Sequence, residues 1–149
     1  MGYEDIDRPQ AAPGRVLIQV AATAFNPLDA TMRAGYFQKE FPIRLPHTPG
    51  YDVAGTVTGL GEGVAGLAVG DTVIGFLLMT GDGAAAEFVL APAGVLTAAP
   101  ASIPLTDAAA LPPSSLTAWQ APFEHAGVRA GHRVLINGAG GGAVGTKRG

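Results

Sequence analysis

Cysteine is absent from the 149-residue sequence. That excludes disulfides and thiolate metal sites, and it is compatible with a reducing compartment. Charge is scarce as well: 14% of residues are charged and the formal net charge is -3. There is no basic stripe of the kind nucleic acid demands, so no nucleic-acid partner is expected. Long hydrophobic runs are missing too. No stretch free of charges and breakers, FLLM at 76–79 among them, approaches the roughly 20 residues of a membrane span, and no membrane partner is expected. The opening MGYEDIDRPQ is polar and acidic, unlike a secretory leader. Ile6 stands where an acylation signal would carry Ser or Thr. These absences point to a cytoplasmic location.

What the chain does have is apolar residues at 48%, with 22 glycines and 12 prolines spread among them. This composition suits a turn-rich β domain with a packed core. RVLIQVAA at 15–22 reads as a strand after the Pro13-Gly14 turn. Asn26 before Pro27 is a helix start, with Asp29 in the first turn and Gly35 as the stop. FPIRLPHTPG at 41–50 holds three prolines and reads as an ordered loop. A strand follows in which Val53, Gly55 and Val57 alternate with Asp52, Ala54 and Thr56. DTVIGFLLM is another strand, and Asp82-Gly83 signals a hairpin turn before a strand with Phe88 and Leu90 on one face. Short strands between glycine turns predict a small barrel.

The character changes after Leu96. A short helix in 103–111 is expected, capped by Thr106 and closed before Pro112. A second spans 115–126, with Ser114 or Ser115 as cap, Gly127 as stop, and Leu116, Trp119 and Phe123 at helical spacing. Trp119 and Phe123 read as core. Pro122 inside that helix costs about 3 kcal/mol unless the helix kinks. HRVLIN at 132–137 reads as a buried strand. The fold class is therefore mainly β, a small barrel over 1–97, followed over 98–149 by helices and the first strand of an α/β unit.

That last strand runs into GAGGGAVG. Backbone N–H groups can bind a phosphate only where no Cβ intervenes, so glycines at a strand end suit a pyrophosphate. Two spacings fit, Gly140-x-Gly142-x-x-Gly145 and Gly138-x-Gly140 ending in Ala143, with Gly141 between them. A plain glycine tail is the alternative.

Six stretches in order resemble one family: FNPLDATMRAGYF, PHTPGYDVAGTV, VGDTVIGF, AAEFVLAP, AAALPPSSLTAWQAPFEHAGV and VLINGAGGGAVG. They are similar to the zinc-independent medium-chain dehydrogenase/reductases, the quinone oxidoreductase and enoyl-reductase-like branch. The resemblance implies a GroES-like barrel and the beginning of a Rossmann domain, with NADPH as cofactor. It further implies hydride transfer to a quinone or an activated alkene or carbonyl. Where the zinc-dependent branch carries Cys and Gly-His-Glu, this chain has Asn26 and Gly50-Tyr51-Asp52, so no metal is expected. The resemblance sets Asn26 and Thr117 beside the nicotinamide ribose and ring, although Asn26 also suits a helix cap and Thr117 a plain helix position. Gly138, Gly140, Gly141, Gly142 and Gly145 would face the pyrophosphate. Tyr36 and Tyr51 are candidate donors to a substrate oxygen, or packing residues. Asp29 reads as support for the Asn26 loop rather than as a base.

Two functions follow. The chain is either part of an NADPH-dependent oxidoreductase or a non-catalytic GroES-like module that binds a small ligand or a partner. With one lobe and a stub of the other, weak or no NADPH binding by this chain alone is expected, together with self-association through the orphaned segment 98–137.

Overall fold

The computed structural model describes residues 2–43, 45–79, 81–138 and 140–141. Two compact units follow one another along the chain, 1–109 and 110–149.

The first unit is built on five antiparallel strands: β1 (Arg15–Ala22), β2 (Asp52–Leu60), β3 (Thr72–Phe76), β4 (Phe88–Pro92) and β5 (Leu96–Ala98). Their spatial order is β4-β1-β2-β3-β5. β-Branched residues supply the inner face: Val16, Ile18, Val53, Val57, Val73 and Val89 are buried together with Leu77, Ala84 and Ala91. Each such side chain contributes about 1.5–3 kcal/mol when taken from water. β1 is the hub, with Ile18 opposite Val57 on one side and Val89 on the other. Against β2 it carries register shifts after Leu17 and after Val20, irregularities that bend a sheet. Gly55 lets the two strands close in, because a Cβ there would stand 2.3 Å from the carbonyl oxygen of Gln19.

The connection from β4 to β5 shows that this sheet is rolled. The two strands lie at opposite edges, yet only a 3₁₀ turn, Ala93–Val95, separates them. A flat five-stranded sheet would set them about 19 Å apart, while such a turn reaches roughly 8 Å. The sheet must curl until its edges approach, which is the expected small barrel.

The Asp82-Gly83 hairpin does not form. β3 pairs with β2 and β5, and β4 pairs with β1. The loop between β3 and β4 instead lies along the proline-rich loop: Gly83 donates to Thr48 at 2.7 Å, Ala84 to Gly50 at 2.7 Å and Ala85 to Pro49 at 2.9 Å, all through the backbone. A Cβ on Gly83 would stand 2.3 Å from the Pro49 oxygen. Glycine is needed here for close approach and not for a turn. On β4 the buried residues are Val89 and Ala91, with Phe88 and Leu90 only half-buried.

Helix α1 (Pro27–Arg33) follows β1. Helix α2 (Leu105–Ala108) packs on β1 and β2 through buried Ala108. Its cap is Pro104, whose carbonyl accepts from Asp107 and Ala108, so Thr106 lies inside the helix.

In the second unit, α3 (Pro112–Trp119) begins one turn earlier than expected. Two prolines with helical φ start it readily, which leaves Ser114 and Ser115 inside. From Gln120–His125 it widens into a π turn. Pro122 has no N–H to give and would crowd an α-helical carbonyl; the wider turn removes that clash. Ala126 donates five residues back, to Ala121, and Gly127 ends the segment with φ +60°. Trp119 and Phe123 pair at 4.7 Å between ring centres, but both are exposed, as is Leu116. They are surface residues and not core.

Residues 132–137 form no strand. An isolated strand has no neighbour to take its N–H and C=O groups, and the described residues of this unit include no other strand. Leu135 is 96% exposed, and Val134 and Ile136 are exposed as well.

Candidate active site

The site is assembled where the first turn of α1 meets the proline-rich loop. Asn26 is extended (φ −117°, ψ 156°), and Pro27 then fixes the first helical residue. Asp29, three residues on, is only 7% exposed. Its Oδ2 accepts the Asn26 backbone N–H at 2.8 Å, and its Oδ1 accepts the Gly50 N–H at 3.2 Å. One carboxylate thus closes the helix start and ties it to a loop 21 residues away. Gly50 has φ +95°, and a Cβ there would stand 2.8 Å from Thr23 Oγ1. Only glycine suits this junction.

Tyr51 and Asp52 follow. Asp52 is completely buried. Its Oδ2 accepts the side-chain amide of Asn26 in a short hydrogen bond, while Oδ1 has no partner among the described residues. Its backbone carbonyl accepts from Thr23 Oγ1 at 2.7 Å. Burial pushes the Asp52 carboxyl up from 3.8 to about 6; the Asn26 hydrogen bond opposes the rise and the negative charge of Asp29 adds to it. Burial, and then Asp29, also raise the Tyr51 phenol above its ordinary range.

Beside this cluster lies a cleft of about 200 Å³. Thr23, Phe25, Asp29, Arg33, Gly50 and Ala85 are among its lining residues. Its walls are mostly apolar, and Phe25 is exposed. Ala85 belongs to the loop held against residues 48–50. A small apolar cleft with one carboxylate, Asp29, and one guanidinium, Arg33, in its lining can receive a flat, weakly polar molecule.

The residues singled out from sequence fall in different places. Asn26 is at the centre of the cluster. Tyr36 follows the left-handed Gly35 beyond α1 and is 78% exposed. Tyr51 is 1% exposed, closed to any ligand in this structure, so its place here is as packing. Thr117 is exposed on α3 of the second unit. Gly138 (φ +77°) opens a tight turn in which Gly141 donates to the Gly138 carbonyl at 2.9 Å, with Gly140 inside it. Gly142 and Gly145 lie outside the described residues. Sequence reasoning gave Asp52 no place in the cluster and missed Thr23 and Ala85 as cleft walls. The available signals were an acid at the start of a mainly apolar strand and its place in Gly50-Tyr51-Asp52, the counterpart of a metal motif. Among the described residues no group of His, Cys, Asp and Glu is arranged to hold a metal ion.

The family described as the alcohol dehydrogenase GroES-like domain matches residues 12–101. A quinone oxidoreductase of Rattus norvegicus is 37% identical over 138 residues, 93% of this chain and 41% of that protein. An alcohol dehydrogenase superfamily protein from Novosphingobium aromaticivorans superposes with a TM-score of 0.88 at 39% identity, over 95% of this chain and 43% of that one. A mycobacterial protein solved in complex with NADPH gives a TM-score of 0.79 at 32% identity, over 95% of this chain and 42% of that one. The chain thus spans about two fifths of the length of the relatives it matches. With a rolled five-stranded sheet and these matches, the chain belongs to the medium-chain dehydrogenase/reductase family, an oxidoreductase family, and carries its GroES-like domain.

Proposed function

We propose that this chain is the substrate-side portion of a zinc-independent, NADPH-dependent oxidoreductase that reduces a quinone or an activated alkene or carbonyl. The observation that carries the reading is the quinone oxidoreductase likeness extending over 93% of the chain. NADPH, when bound, supplies the hydride. Two features of the chain suit such a ligand. The Asn26 amide is held in one orientation by Asp52, next in the chain to Phe25 of the apolar cleft, and the backbone at Gly138 and Gly140 is open, with nothing within 4 Å of a Cβ position on either.

In this reading Asn26 and Thr117 orient the nicotinamide end. Gly138 and Gly140, with Gly142 and Gly145, offer backbone N–H groups to the pyrophosphate, and Gly141, whose N–H is given to the Gly138 carbonyl, closes the turn that presents them. Tyr36, the exposed tyrosine of the two candidates, donates to the oxygen on which charge develops. The apolar cleft walls exclude water from the reacting atoms. A cytoplasmic location, and self-association through 98–137, belong to the same proposal.

A second reading is a non-catalytic binding module. It is favoured by the fact that all the cleft residues come from the first unit. The test is to follow NADPH consumption against a panel of quinones, enones and aldehydes, using protein expressed from its complete reading frame. Oxidation of NADPH with matching substrate reduction supports the enzyme. Calorimetric binding of a quinone with no NADPH consumption supports the module and overturns the enzyme.

A further inference from the structure

The Asn26–Asp52 pair has more chemistry than a structural contact needs. A side-chain amide has a donor edge and an acceptor edge, and nothing in the amide itself decides which one faces inward. An ionised carboxylate accepts hydrogen bonds only. Asp52 is rigidly placed: it starts β2, Thr23 bonds its carbonyl, and none of its side chain reaches solvent. Facing it, Asn26 must turn its nitrogen inward. Asn26 is itself fixed by Pro27 on one side and by Asp29 on its backbone N–H. A leucine or a serine at position 52 would fill the strand equally well without imposing any orientation. Leaving Oδ1 buried and unpartnered costs free energy that packing alone does not explain.

We propose that Asp52 is the positioning residue of this site: its carboxylate decides which edge of the Asn26 amide is left for a ligand, and so how the site receives the carboxamide-bearing ring of a nicotinamide nucleotide. The ligand named here rests on the functional reading above; the orientation of Asn26 by Asp52 does not.

One consequence is a dependence on pH. When Asp52 takes up a proton it becomes a donor as well as an acceptor, and the Asn26 amide is free to turn over. Asp29 on α1 is the charged group acting on Asp52, and it favours that protonation. Tyr51 beside it stays neutral over the range concerned. β1 and β3, which flank β2, contribute one charged residue, Arg15, at the far end of β1; α2, packed on β1 and β2, contributes the exposed Asp107, and α1 also carries Arg33 in its last turn, on the cleft. His47, in the loop before β2 and with a buried Nε2 that has no partner among the described residues, is removed in a His47→Gln control, because histidines change charge in the same pH range.

The experiment has two arms. In the first, the ¹³Cγ signal of Asp52 and the side-chain ¹⁵N–¹H signals of Asn26 are followed by NMR between about pH 4.5 and pH 8. Both are expected to shift with one midpoint, near 6, in the wild type and in His47→Gln, and the Asn26 signals to become flat in Asp52→Asn, which keeps the size of the side chain. Asn26 signals that do not move while Asp52 titrates overturn the proposal, as do signals that follow His47. In the second arm NADPH is titrated into protein from the complete reading frame. An affinity that changes about tenfold across the same midpoint, and loses that dependence in Asp52→Asn, supports the role toward the ring. Affinity with no such profile overturns that role. Absence of NADPH binding at any pH overturns the functional reading instead and leaves the NMR result to decide the orientation.

Discussion

Replacing Asp52 by asparagine removes a buried ionisable group while keeping its shape, and the structure gives the size and the pH window of the effect. The carboxyl is raised from 3.8 to about 6 in the folded chain. The folded state therefore binds the proton more tightly than the unfolded state. The stability this provides is complete below about pH 3.8, and it is lost as the pH rises through about 6. Two units correspond to about 3 kcal/mol in all, of which about 2 kcal/mol falls between pH 4.5 and pH 8. Asparagine cannot titrate. Its own N–H groups, set where Oδ1 has no partner, impose a cost that is the same at every pH. The informative quantity is thus the stability of Asp52→Asn minus that of the wild type. It should grow by about 2 kcal/mol from pH 4.5 to pH 8. In this difference the titration of groups that do not interact with Asp52 cancels. Urea unfolding by circular dichroism reads it as a relative shift of the midpoint of roughly 1 M, for slopes of about 2 kcal/mol per molar. A difference that stays flat across the range, or shrinks as pH rises, would refute the claim that Asp52 is ionised at a cost in the folded protein.

Three further outcomes are expected. Gly83→Ala places a Cβ 2.3 Å from the Pro49 oxygen and 2.5 Å from the Gly50 oxygen, so the loop must move away from residues 48–50. A loss of about 1–3 kcal/mol in urea unfolding is expected, with faster amide exchange at Ala84 and Ala85. Asp29→Ala removes the acceptor for the Asn26 and Gly50 N–H groups. It should cost about 1.5–3 kcal/mol for each charge-assisted bond lost, and hydrogen exchange at those two amides checks it directly. Leu135→Lys, at a residue 96% exposed, should weaken the self-association proposed above through 98–137, and a wild-type chain that sediments as a monomer would refute that proposal. Sedimentation velocity showing equal association in both proteins would assign it to another surface.

Much of the local structure was legible from neighbouring residues alone. The strand at 15–22 and the helix start at Asn26-Pro27 were both readable, because β-branched runs, a fixed proline φ and an acid in the first turn act within a few residues. The rolled sheet followed from short strands between glycine turns. The site was less legible. Asp52 lies 26 residues from Asn26, and Asp29 lies 21 from Gly50. No period connects them, and only the family resemblance, which set Asn26 and Gly50-Tyr51-Asp52 in the place of one metal site, put them side by side.

Partner choice is what the linear chain could not express. Asp82-Gly83 has the composition of a hairpin turn, but β4 pairs with β1, and Gly83 serves as a point of close contact. RVLIN has the composition of a strand, but its hydrogen bonds need a neighbour that the described residues of its unit do not supply. The sequence by itself determined the strand at 15–22, the helix start at Asn26-Pro27 and the stops at Gly35 and Gly127, since those preferences reside in adjacent residues. Tertiary structure alone decided which strands meet, that Asp52 is stripped of water beside a second carboxylate, and that Tyr51 is sealed while Tyr36 is open. Pairing and desolvation are properties of groups brought together from distant parts of the chain.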